Sequence, residues 1–186
     1  NGIEVLYMVD PIDGFMTTGL RELKGKTLKN VDDAGLDLPE KDEDAAKEKP
    51  DAVDASEFTP LVDRFKAVLG ERVVDVRESK QLVDNPARLV SPEDSYDRDM
   101  QRIRRLMEQD YEVPKKILEL NRRHSMVRNL AHMVGDDAET ALVDAAIEQL
   151  FDNALLLEGL HPNPADMAAR IQMLMEAAVA GKAKTA

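Results

Sequence analysis

Cysteine is absent from this 186-residue chain, which excludes disulfides and thiolate metal sites and favours an intracellular, cytoplasmic protein. Tryptophan is also absent and aromatics reach only 4%. Leucine, alanine, valine and nine methionines must fill the interior instead, and methionine-bearing surfaces adapt to varied partners. A basic excess is missing: the net charge is −12, so a nucleic-acid partner, which needs a positive field, is excluded. No apolar run approaches the roughly 20 residues of a membrane span, so no membrane partner is expected. The first residues, Asn1-Gly2-Ile3-Glu4, lack the basic start and apolar core of a signal peptide. The chain starts without Met and almost inside a strand, which reads as a piece of a longer protein.

Catalytic signatures are missing too. There is no Gly-rich phosphate loop with a Lys and no Gly-x-Gly-x-x-Gly, so no cofactor site is expected in the chain. His124, His132 and His161 form no His-Glu-x-x-His pair, so no metal site is expected and capping or packing accounts for them better. Asp10 and Asp13 suit helix-start electrostatics better than acid–base work. Ser79, Ser91 and Ser125 lack a nucleophile's context. The reading is therefore no catalytic residue and no enzyme.

What is present is helix and short strand. Ile3 to Val9 is a β-branched apolar run and predicts a buried strand. Asp10-Pro11 ends it, a short helix from Ile12 to Leu20 follows, and Lys26 to Val31 is a second strand. This β-α-β order suggests a fragment of an α/β layer over residues 1–39. Residues 40–56 form an acidic linker: Glu40 to Glu57 holds eight acidic and three basic residues and almost no large apolar side chain. An acidic docking segment is the alternative. Residues 57–186 form the second unit.

In that unit Thr59-Pro60 starts a helix that stops at Gly70, with Leu61, Val62, Phe65, Val68 and Leu69 as its stripe. Strands are predicted at Arg72 to Glu78, Ala87 to Val90 and Lys115 to Leu120, with a turn at Asp84-Asn85-Pro86. Ser95 to Gln109 is a helix carrying Tyr96, Met100, Ile103 and Met107 at 4-3-4 spacing. Asn121 caps a helix that ends at Gly135.

The last two helices are apolar over much of their circumference. From Ala138 to Glu158, the residues Val143, Ile147, Leu150, Ala154 and Leu157 make a coiled-coil-like seam that Leu142, Ala146 and Phe151 widen. After Asn163-Pro164, a second helix carries Met167, Ile171, Leu174 and Ala178. Such helices need cover on two sides. A second copy supplies it as a four-helix bundle across a two-fold axis; packing onto the chain's own sheet is the alternative. The fold class is α+β: a short α/β fragment, then a small three-stranded sheet with packed helices ending in that pair.

Several short motifs, in order, carry a family resemblance. They are Glu4-Val5-Leu6-Tyr7-Met8-Val9-Asp10-Pro11-Ile12-Asp13, Leu69-Gly70-Glu71-Arg72-Val73-Val74-Asp75-Val76-Arg77, Leu82-Val83-Asp84-Asn85-Pro86-Ala87, Asp99-Met100-Gln101-Arg102-Ile103, Leu118-Glu119-Leu120-Asn121 followed by His124, and Leu150-Phe151-Asp152-Asn153-Ala154-Leu155-Leu156. Together the chain resembles the end of the middle domain and the C-terminal dimerisation domain of the ninety-kilodalton heat-shock chaperones, in their bacterial HtpG type. Arg122 departs from the family's usual Pro, Gly14 and Phe15 depart from its common acidic–aromatic pair, and the Glu-Glu-Val-Asp ending of the eukaryotic cytosolic members is missing. Binding of tetratricopeptide co-chaperones is therefore not implied.

The resemblance implies a homodimer joined by the seam residues, and non-native client proteins and other chaperones as partners. It implies an ATP and Mg site in the parent protein, outside this chain. It places Phe15 and Met16, with Tyr96, Met100, Ile103 and Met107, on a client-facing cleft. Beside Arg98, Arg102, Arg104 and Arg105, such a patch suits weak binding of varied chains. Ordinary core is the other reading of that helical stripe, and a purely structural dimer without a client surface is the alternative function.

Overall fold

The computed structural model describes residues 4–10, 13, 16, 19–31, 52–92, 107, 113–135 and 139–183. Residues 4–9, expected as a buried strand, form none and are largely exposed, with Tyr7 87% accessible. An apolar run becomes a strand only when a neighbour takes its amides, and no described strand pairs with it. Asp13, Met16 and Gly19 are helical. The Asp10 amide donates to Asp13 Oδ2 at 3.1 Å, the helix-start role expected of these carboxylates.

The expected second strand is instead one arm of a hairpin. β1 (Glu22–Leu23) pairs antiparallel with β2 (Lys26–Thr27). Lys24 and Gly25 both take positive φ, 52° and 77°, as a turn matched to strand twist requires. The β-α-β unit is thereby replaced, among the described residues, by a helical segment and a hairpin.

The larger unit begins earlier than Glu57. Val53 is buried in the core, and helix α1 spans Ala55–Leu69. Pro60 therefore sits inside α1 rather than at its start, where it has no amide to offer the Ser56 carbonyl one turn earlier. Phe58, Leu61, Phe65 and Leu69 point inward at 3-4-4 spacing. A 3-10 turn, Gly70–Arg72, leads into β3 (Val73–Glu78). β4 (Ala87–Val90) and β5 (Lys116–Leu120) complete a sheet in which β5 is central, parallel to β3 and antiparallel to β4. All five β5 residues are buried.

Helix α2 (Ser125–Met133) follows. Its cap is His124, whose Nδ1 accepts the Met126 amide at 3.1 Å, and not Asn121 as the sequence suggested. Asn121 instead ties the preceding turn, donating to the Val83 and Asn85 carbonyls at 3.0 and 3.2 Å. Helix α3 (Thr140–Glu158) stops at Gly159, whose φ of 71° needs no side-chain accommodation. A 3-10 turn, Pro164–Met167, precedes α4 (Ala168–Ala183).

The fold is thus mixed α+β, with four helices of nine residues or more and two small sheets among the described residues. One core joins α1, the sheet, α2 and α3. α3 packs on α1, β4, α2 and α4, which explains its all-round apolar surface. No helix among the described residues is long and apolar enough to cross a membrane.

Candidate interaction surface

The seam residues divide into two groups. Val143, Ala146, Ile147, Leu150, Phe151 and Ala154 are buried in the chain's own core, so α1 and the sheet supply the cover that a second copy was expected to give. The width of the apolar surface on α3 matches its central place among α1, the sheet, α2 and α4. Leu142 is half-buried and lines a groove of about 340 Å³ with Met126, Leu130, Met133 and Ala146.

The second group faces outward. Leu157 is 70% exposed, and Leu156 and Ile171 are also open. Met167 is buried in the turn before α4, and Leu174 packs partly against the core. The opposite face of α4 presents Ala168, Ile171, Met175 and Val179 along a shallow groove of about 780 Å³. Met175 and Val179 are 63% and 71% exposed, and Ala178 is exposed beside them. These positions recur at helical spacing, so the exposed side is one continuous stripe.

Polar contacts hold this stripe outward by fixing the other side of α4. Arg170 Nε donates to Gln149 Oε1 at 3.1 Å, and its Nη2 pairs with Asp152. Asp152 also lies 3.5 Å from His161 Nε2 in the buried turn between the helices. The sequence expectations did not include this corner, because Asp152 and Arg170 are only two among several charged residues on these helices.

Nearby, buried Lys116 donates to Ser91 Oγ at 3.1 Å and lies 3.7 Å from Glu158. A serine nucleophile needs a partner that accepts its proton, whereas an ammonium between a hydroxyl and a carboxylate acts as a donor. The contact therefore reads as core packing. Among the described residues no three His, Asp or Glu side chains are grouped to hold a metal ion.

Of the expected client contacts, Met16 and Met107 are helical and exposed. Phe15, Tyr96, Met100 and Ile103 lie outside the described residues.

The chain belongs to the Hsp90 protein family, whose family model matches residues 1–186. It is 38% identical over 177 residues to a chaperone protein HtpG of Chlorobium phaeovibrioides and 39% identical over 180 residues to that of Chlorobaculum tepidum, each match covering 95% of this chain. The HtpG of Nitratidesulfovibrio vulgaris is 37% identical over 186 residues, covering 94%. The chain spans 28% of the length of each of these relatives.

Proposed function

We propose that this chain is the dimerisation and client-binding segment of a cytoplasmic, ATP-dependent chaperone that assists protein folding. Residues 1–39 close its middle domain, an acidic linker follows, and the unit from Val53 onward is the C-terminal dimerisation domain. The observation that carries this reading is the outward apolar stripe of α4, with Ile171, Met175 and Val179 uncovered in a single copy. Together with Leu157 it offers a second copy the apolar surface that two helical pairs bury on forming a bundle.

Met16 and Met107 support a client surface of exposed, flexible side chains. Phe15, Tyr96, Met100 and Ile103 belong to the same proposal. Non-native proteins and other chaperones are the proposed partners, and ATP with Mg is held by parts of the parent outside this chain.

Sedimentation equilibrium tests the assembly. The chain is expected to be dimeric at micromolar concentration. Met175→Glu places a charge in the proposed apolar contact, at several kcal/mol, and is expected to give monomers with an unchanged fold. A monomeric wild-type chain, or a Met175→Glu variant that stays dimeric, would overturn the α4 interface.

A further inference from the structure

Arg122 is the residue that departs from the Pro otherwise expected after Asn121, and its side chain makes contacts a Pro cannot make. Its backbone carbonyl accepts the Val53 amide at 3.1 Å. Its side chain returns to the same residue: Nε donates to the Val53 carbonyl at 3.1 Å, and Nη2 donates to that oxygen as well. Val53 thus has both backbone groups taken by one partner 69 residues away. The third nitrogen, Nη1, pairs with Glu78 Oε2 at 3.0 Å. The guanidinium plane also lies over the Phe58 ring, 5.2 Å from its centroid. The Val53 side chain is buried in the core cluster.

These contacts fall at the junction between the acidic stretch and the folded unit. Nothing in the local sequence Asp51-Ala52-Val53-Asp54 would hold it: one valine stands among small and acidic residues, too little apolar surface to offset its ordering entropy. α1 gains no side-chain cap from Asp54 either.

We propose that Arg122 is a latch that holds residues 52–54 against the start of α2, and so sets where the folded unit begins. Guanidinium chemistry suits this role, because a rigid fork grips one carbonyl with two donors while its third nitrogen meets a carboxylate. An ammonium presents a point charge and cannot reproduce the grip.

Hydrogen exchange on the full chain tests the latch through peptides covering residues 52–58 and 116–120. Arg122→Ala is expected to reduce protection of residues 52–58 on the order of ten-fold and to leave β5 unchanged. Arg122→Lys is expected to behave like Arg122→Ala. Val53→Ser, which loosens the same contact from its other side, should produce the same local loss. Limited proteolysis should then trim the resistant fragment from near Ala52 to the first turn of α1. Unchanged protection at residues 52–58 in Arg122→Ala overturns the proposal. Equal loss at residues 116–120 also overturns it, because Arg122 would then be a core residue of the whole unit. Full rescue by Lys would replace the fork by a simple charge contact.

Discussion

Glu119 on β5 meets Arg88 on β4 with its Oε2 2.8 Å from the guanidinium Nη2. On the other side its Oε1 lies 2.8 Å from Arg77 of β3, and Ser79 donates to Oε2 at 3.0 Å. One carboxylate, its side chain only 6% exposed, therefore links all three strands. Burial alone would raise its pKa, but Arg77, Arg88 and Ser79 together hold it below the ordinary carboxylate value.

Glu119→Gln is expected to destabilise the unit by about 1–3 kcal/mol near neutral pH. The sign follows from linkage. A carboxyl whose folded pKa is depressed contributes stability that is present above its unfolded pKa and is lost as pH falls through the folded value. The difference between wild type and variant should therefore shrink on acidification. Urea titrations at pH 7 and below pH 4 check this; a constant difference would detach Glu119 from the acid limb.

Buried and exposed members of the seam should behave differently. Ile147→Ala removes volume from a fully buried position and is expected to lower stability by about 2–4 kcal/mol, as for similar core truncations. Leu157→Ser should change monomer stability by less than about 0.5 kcal/mol yet weaken self-association. Thermal unfolding at low protein concentration, paired with sedimentation, separates the two effects.

Met16→Ser combined with Met107→Ser is expected to leave the melting temperature nearly unchanged, because both side chains are exposed. Binding of a partly unfolded protein should weaken, since each thioether removed takes away apolar contact at roughly 25 cal/mol per Å². Fluorescence anisotropy with a labelled non-native protein measures it. Equal binding by the double variant would move the client surface elsewhere.

Calorimetry with ATP and Mg should show no stoichiometric binding to this chain. The sequence carries no phosphate-cradling loop. Micromolar affinity would demand a nucleotide site built without a phosphate-cradling loop.

Much of the larger unit was legible because periodic patterns and stop signals agreed. β4 falls on Ala87–Val90 as expected, β5 starts one residue late, and Gly70 and Gly159 end their helices. The failures share a cause: each depended on a distant partner. Residues 4–9 had strand chemistry but no described neighbour, and α1 began at Ala55 because Arg122 secures Val53 from far along the chain. The hairpin was hidden by Lys24, a residue seldom placed at positive φ, although Gly25 beside it was a signal. For the interaction surface, spacing correctly marked α3 and α4 as apolar. It did not separate the face turned to the core from the face turned away, since both carry the same residue types.

The middle strand of the three is also the last to be made. β3 and β4 leave the ribosome as two edges with nothing between them, and Val76 waits 42 residues for its partner Leu118. Pairing over such a separation is slow, because loop closure precedes any gain from the ladder. The three-stranded sheet therefore cannot be completed until residue 120 has emerged. A segment of this family must itself pass through the unfolded, exposed condition in which a growing chain is most prone to aggregate.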